Sequence, residues 1–196
     1  MVVSKTNLIK CVVIGDDSVG KTSMLVNYAT NRFPTQHVPS VFDNYAGVLC
    51  FAGRRYHLQL LDTIEEETLS NFKRNMYPGT DVFVVCFSVV NPESFQNVEN
   101  KWIPEIKNQM RNIPVILAGT QADLRQSAMI SHMLKAKGHR PITPEEGYAM
   151  SRRIGASHYI ECSPEVEKTF KRNLDKALVS VLRPKGYNDT NACTIL

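Results

Sequence analysis

The chain has 196 residues, 43% of them hydrophobic, which suits one globular α/β-sized domain with a substantial core. Its formal charge of +4 is mild and no basic run stands out, which sets nucleic-acid binding aside. The five cysteines (Cys11, Cys50, Cys86, Cys162, Cys193) lack metal-ligand spacing, and three sit in apolar strand-like runs as small hydrophobes, favouring a reducing compartment. The sequence has no apolar centre of the signal-peptide kind and no stretch of membrane-spanning length, so neither secretion nor a transmembrane span is expected.

Residues 8–14 are apolar and β-branched, as in a buried strand. Next comes Gly15-Asp16-Asp17-Ser18-Val19-Gly20-Lys21-Thr22, which reads G-x-x-x-x-G-K-T, and residues 22–29 can form a helix. This strand–loop–helix order is the context a phosphate-binding P-loop requires. A helix N-terminus presents unpaired N–H groups and partial positive charge, so phosphate oxygens bind there. Lys21 would reach the β- and γ-phosphates, and the Thr22 hydroxyl would ligate Mg²⁺. Without that context the same glycines would be an ordinary turn.

Residues 31–45 form a long polar stretch punctuated by Pro34 and Pro39, of the length that is usually functional in a compact domain. Residues 46–51 and 56–61 flank Gly53-Arg54, a hairpin signal. Asp62 closes the second of these strands, where a Walker-B carboxylate holds Mg²⁺ through water. An Asp at a strand end alone is more often a helix cap, so its weight comes from the P-loop. Residues 64–75 are polar, acidic and without period, and read as a mobile segment. The apolar runs 81–89 and 114–120 predict strands covered on both faces. Between them, 92–110 has helical spacing, with Phe95, Val98, Trp102 and Ile106 on one core-facing side. Residues 127–137 predict an extra helix, and Thr143-Pro144-Glu145-Glu146 opens another with a cap and Pro at the first position. A last strand at 158–162 and a last helix at 164–182, with Phe170, Leu174, Leu178 and Leu182 inward, complete the order. Alternating strands and helices imply an α/β fold with a mainly parallel sheet and helices on both faces.

The P-loop, Val38-Pro39-Ser40-Val41-Phe42-Asp43-Asn44-Tyr45, Asp62-Thr63, Thr120-Gln121-Ala122-Asp123 and Glu161-Cys162-Ser163 occur in one order. Together they resemble the Rho family of the Ras-superfamily GTPases, nearest its Rac-like branch. V-P-S-V-F-D-N-Y is almost that branch's effector loop, and the helix at 127–137 falls where Rho proteins carry their insert. The resemblance covers residues 7–182 and implies a small GTPase domain over 1–182, then a flexible tail over 183–196 ending in a C-a-a-X box. It implies the P-loop NTPase fold, GTP/GDP and Mg²⁺. Gly15, Asp17, Ser18, Val19, Gly20, Lys21, Thr22 and Ser23 would surround the phosphates, with Asp62 beyond them. Thr22 and Ser40 would hold the metal. Phe33 would pack its ring edge on guanine. Thr120, Gln121, Asp123, Ser163 and Pro164 would form the base pocket, Asp123 accepting from guanine N1 and N2. Glu66 stands at the position that orients the attacking water.

Several residues depart from the family pattern. Asp17 replaces a Gly beside the γ-phosphate and fills the space an arginine finger needs. Ile64 and Glu65 replace small residues, Glu65 at the Gly whose amide meets the γ-phosphate. Glu66 replaces a Gln; a carboxylate accepts from water but cannot donate to the transferring phosphoryl oxygens. Gln121 replaces a Lys that packs over guanine, and Pro164 replaces a residue whose N–H meets guanine O6, which Pro lacks. These changes predict slow hydrolysis and faster nucleotide exchange.

Leu196 at the X position favours geranylgeranylation of Cys193. Arg183 and Lys185, offset by Asp189, make a weak second membrane signal, so internal Golgi or endosomal membranes with a cytosolic pool are expected. Expected partners are effectors at the 31–45 loop, exchange factors, a prenyl-binding chaperone and the membrane. Two other readings remain open at this level: a pseudo-GTPase scaffold without nucleotide cycling, and a P-loop enzyme acting on adenine nucleotide.

Overall fold

Every second residue of Leu8–Gly15 faces one side of the sheet, yet nearly the whole strand is buried, because both sides are covered. This strand, β1, lies at the centre of the fold in a computed structural model that describes residues 7–30, 44–51, 54–63, 75–163 and 167–182. Helix α1 (Lys21–Thr30) follows it, then β2 (Asn44–Phe51), β3 (Arg54–Asp62) and β4 (Val82–Ser88). A helical run begins with α2 (Pro92–Asn97), passes through a π turn (Val98–Trp102) and continues as α3 (Ile103–Gln109). Strand β5 (Val115–Thr120) leads through a 3₁₀ turn (Ala122–Gln126) to α4 (Ala128–Ala136). Then come α5 (Pro144–Ile154), β6 (His158–Glu161) and α6 (Glu167–Leu182).

Among the described residues the strands form one sheet in the order β2-β3-β1-β4-β5-β6. Only β2 against β3 is antiparallel; the other described pairs are parallel, as the alternating pattern predicts. Cys11, Val13, Val84, Cys86, Ile116 and Ala118 pack under α1 and α6, against Met24, Leu25, Tyr28, Phe170 and Leu174. Their chain neighbours Val12, Ile14, Phe83, Val85 and Leu117 face the other way, onto Val98, Trp102, Ile106 and Met150. Burying both faces leaves only the strand ends for chemistry. Strand order reverses at β1, with β3 on one side and β4 on the other, and ligands of open α/β sheets bind at the carboxyl ends beside such a point.

Local chemistry sets several boundaries. Asn91 caps α2 by accepting from the N–H groups of Glu93 (3.1 Å) and Ser94 (3.2 Å). Thr143 and Glu146 form a reciprocal capping box at α5. Gly155 ends that helix in the left-handed conformation at φ 74°.

Three sequence expectations need correction. The helix at 92–110 is not continuous, because the turn Val98–Trp102 is widened to an i→i+5 bond from Ile103 N–H to Val98 O. Pro104 lacks an N–H and its ring would clash with the carbonyl four residues back, so the chain inserts an extra residue into the preceding turn. Cys50, in the apolar run 46–51, is exposed, because it shares a face of β2 with exposed Val48, opposite buried Leu49. In the last helix Phe170, Leu174 and Leu178 are buried, whereas Leu182, expected inward, packs only partly at its end. The residue calls on 31–43, on the turn at 52–53, on 64–74 and on the tail 183–196 lie outside the described residues.

Candidate functional site

The P-loop leaves the carboxyl end of β1. Gly15 sits at φ 149°, and a Cβ there would lie 2.3 Å from the Cys86 carbonyl oxygen on β4, so only glycine lets the loop turn this close to the sheet. Gly20 (φ 91°) and Ser18 (φ 60°) are also left-handed, the kind of backbone that gathers N–H groups into an anion-binding concavity. Val19 is buried beneath the loop. Lys21, the first residue of α1, is only 6% exposed; its ammonium folds back to donate to the carbonyls of Gly15 (2.9 Å) and Asp16 (2.7 Å). Asp17 Oδ1 stands 3.9 Å from the same ammonium, on a side chain that is 60% exposed. No acidic residue occupies the first turn of α1, so the partial positive charge of its N-terminus is not neutralised from within the helix.

Asp62 ends β3 beside this loop and is buried. The Thr22 hydroxyl donates to Asp62 Oδ2 at 2.5 Å, and the Thr63 hydroxyl donates to Val13 O at 2.8 Å, which pins the end of β3 to β1. Thr22 and Asp62 thus present hard oxygen donors side by side, the ligand type Mg²⁺ takes. Among the described residues no group of three or more His, Cys, Asp or Glu could hold a metal. Ser23 lies one residue along α1, half-buried.

The far side of the site comes from β5, β6 and the turns after them. The Thr120 hydroxyl hydrogen-bonds to the Val19 carbonyl and lies 2.9 Å from that of Phe87, joining the P-loop to β4 and β5. Gln121 is held left-handed at φ 56°, accepts from the Ser88 hydroxyl at 2.5 Å and donates to Ser18 O at 3.4 Å. Its amide therefore spans from β4 to the P-loop. Ala122 N–H donates to Cys162 O at 3.2 Å, which brings Asp123 and buried Ser163 to one end of the sheet. Oδ1 of Asp123 is buried and has no hydrogen-bond partner among the described residues. A buried acceptor without a donor is costly, and a ligand edge carrying two N–H donors, as guanine does at N1 and N2, would satisfy it. Behind Asp123, Arg125 clamps Glu161 with two bonds (3.0 and 2.6 Å) and reaches Ile142 O (2.9 Å). Burial pulls the Arg125 guanidinium down, but the hydrogen bonds and charge of Glu161 outweigh it and leave it raised. Burial likewise pushes the Cys86 thiol, under the P-loop, up to about 12, so it stays neutral and serves as packing.

A family model described as the Ras family matches residues 10–183. The chain belongs to the Ras family. It is therefore a small GTP-binding switch protein on a P-loop, built like the small G proteins; members of the Ras family bind guanine nucleotide generally, with Mg²⁺ usual. In this Ras-family chain Lys21 and the P-loop backbone would hold phosphates, Thr22 and Asp62 the metal side, and Asp123 the base. A bound guanine nucleotide with Mg²⁺ supplies the phosphoryl group and the charge that these groups face.

The structure gathers Gly15, Asp17, Ser18, Val19, Gly20, Lys21, Thr22, Ser23, Asp62, Thr120, Gln121, Asp123 and Ser163 around the ends of β1, β3, β5 and β6. Phe33, Ser40, Glu66, Pro164 and Cys193 lie outside the described residues. Two participants were missed in the sequence. Ser88 was read only as part of a strand, and nothing local says that its hydroxyl meets Gln121. Asp16 stands at a variable position of the P-loop motif that drew no role of its own, although its carboxylate accepts from Asn97 Nδ2 and Trp102 Nε1, both at 2.7 Å. The signal for the second was Pro104, which marks where the helix must deviate.

Proposed function

We propose that this chain is a divergent Rho-family switch of the Rac-like branch that hydrolyses GTP slowly, exchanges nucleotide readily and is mainly GTP-bound. The observation that carries this reading is the Asp17 carboxylate 3.9 Å from Lys21 Nζ. It brings an acidic side chain to the cation that serves the transferring phosphate, in the space an arginine finger would enter. Glu65 and Glu66 add two further acidic side chains at the positions that meet the γ-phosphate and the attacking water. Pro164 has no N–H for the base, and Gln121 has an amide where the family has a lysine stem. Effectors would read the 31–45 loop, with exchange factors and a prenyl-binding chaperone as further partners. Geranylgeranylated Cys193 would anchor the chain to internal Golgi or endosomal membranes, because Arg183 and Lys185 add only about 1 kcal/mol each near an anionic leaflet.

The test is chromatographic analysis of nucleotide on the purified chain, with single-turnover hydrolysis with and without a Rho GAP. Bound guanine nucleotide with hydrolysis that the GAP barely accelerates is expected. Strong GAP stimulation overturns the slow-hydrolysis reading. The alternative, a pseudo-GTPase scaffold, is favoured by the internal ties of Asp17 to Lys21 and of Gln121 to Ser18, and it predicts no bound nucleotide. For the anchor, an N-terminally tagged chain is expected on internal membranes with a soluble pool. Predominantly plasma-membrane signal overturns the tail argument, and membrane signal that survives Cys193→Ser overturns the lipid.

A further inference from the structure

The π turn has a consequence for the P-loop. On a regular α-helix, residues five apart are rotated by about 140° and cannot reach one group together. Closing the turn on an i→i+5 bond brings such residues to the same side. Asn97 and Trp102 are five apart and flank the widened turn; both donate to one carboxylate, Asn97 Nδ2 to Asp16 Oδ2 and Trp102 Nε1 to Asp16 Oδ1, each at 2.7 Å. Trp102 is fully buried and Asn97 half-buried, so these bonds are held in a packed setting, not on a mobile surface. The backbone carbonyl of Asp16, together with that of Gly15, receives the Lys21 ammonium.

We infer that Asn97 and Trp102 are positioning residues for phosphate binding: through Asp16 they fix the P-loop backbone that aims Lys21. The inference rests on the nucleotide-binding reading above and extends it to a helix that none of the P-loop, base or metal residues belongs to. A carboxylate that accepts two N–H donors in a half-buried setting is held in direction, and hydrogen bonds to a charged acceptor are the strong ones. The helix defect is thereby given a task. Had the turn been regular, only one of the two donors could meet Asp16, and the loop's second peptide would be free to rotate its carbonyl away from Lys21.

The test measures release of a fluorescent GDP at fixed Mg²⁺ from wild type, Trp102→Phe, Asn97→Ala, Asp16→Ala and the double variants with Asp16→Ala. Trp102→Phe keeps an aromatic ring and removes the N–H; a lost bond to a charged acceptor corresponds to release faster by about tenfold. Asn97→Ala, whose side chain is only half-buried, is the second variant in case Trp102→Phe does not fold. In the Asp16→Ala background neither change is expected to alter release further, because the group they act through is gone. Trp102 is the only tryptophan, so its emission is a direct reporter. Removal of nucleotide is expected to shift that emission in wild type and not in Asp16→Ala. Unchanged release in folded Trp102→Phe and Asn97→Ala overturns the inference. So does an equal effect of Trp102→Phe with and without Asp16, which would mark simple core packing. A wild-type chain that takes up no guanine nucleotide overturns the nucleotide-binding reading and this inference together, whereas normal uptake with silent variants overturns this inference alone.

Discussion

At the scale of single residues, the site is decided by where charge sits. Lys21 is a buried cation that donates to the carbonyls of Gly15 and Asp16, and Asp17 adds a carboxylate 3.9 Å away. Removing that carboxylate opens space and lessens repulsion, but it does not supply a donor to the transferring oxygens. Asp17→Gly alone is therefore expected to give only a partial gain in GTP hydrolysis. With Glu66→Gln added the gain should approach the factor of about 100 or more associated with one well-placed donor. Single-turnover rates of the two singles and the double check this; full activity from Asp17→Gly alone contradicts it. Gln121 is subtler. Its amide already bridges Ser88 and Ser18, and a lysine ammonium could donate to both the Ser88 hydroxyl and the Ser18 carbonyl while its stem covers the base. Gln121→Lys with Pro164→Ala, which restores an N–H, is expected to slow guanine-nucleotide release by about fivefold, the equivalent of one net hydrogen bond of roughly 1 kcal/mol. If fluorescent-nucleotide release does not slow, this account of the base pocket is wrong.

At the scale of elements, the far end of the sheet depends on the fit of α5 onto β6. Gly147 of α5 faces Tyr159, and a Cβ at Gly147 would sit 2.2 Å from Tyr159 Cζ and 2.4 Å from its hydroxyl oxygen. That hydroxyl donates to Glu161 Oε1 at 2.6 Å, and Glu161 is clamped by Arg125 in the turn that carries Asp123. Gly147→Ala cannot be relieved by moving a flexible chain end, because a ring is in the way. It is expected to cost about 2–3 kcal/mol by overpacking, visible as a lowered Tm. Because Tyr159 leans on Glu161, guanine-nucleotide affinity should weaken as well; a variant of unchanged Tm shows that the helix shifts without penalty.

At the scale of the whole molecule, α6 and α1 are tied together on one face of the sheet by Tyr28, whose hydroxyl donates to Asp175 Oδ1 at 2.5 Å. Burial lifts the Asp175 carboxyl above its ordinary value, against the pull of the Tyr28 hydrogen bond and the Lys171 charge. The folded chain thus holds this proton more tightly than the unfolded chain. Its contribution to stability is full below the ordinary value of 3.8 and is lost as pH rises through the higher folded value. Asp175→Asn does not titrate and keeps an acceptor for Tyr28. Relative to wild type, the variant's stability is expected to improve from about pH 4 upward and then level off. Urea unfolding across that range measures it, and a difference that does not vary with pH removes the argument.

The sequence by itself determined the P-loop, the parallel α/β order and the capping of α5, because each rests on neighbours in the chain. Gly15, Gly20 and Lys21 lie within seven positions of one another, and Thr143 and Glu146 are three apart, so a local pattern suffices. Burial periodicity likewise placed β1, β4 and β5, since a strand covered on both sides must be apolar throughout. Tertiary structure alone decided which distant groups meet. Cys50 shares a face of β2 with exposed Val48, opposite buried Leu49, and that this face stays uncovered depends on how the helices pack. The Ser88–Gln121–Ser18 bridge joins three segments that only the packed sheet brings together. The π turn was written in Pro104 as a break, but that the widened turn aims Asn97 and Trp102 at Asp16 depends on β1 and the helix being packed face to face. A carboxylate more than eighty residues away in the chain can be reached only once that packing exists.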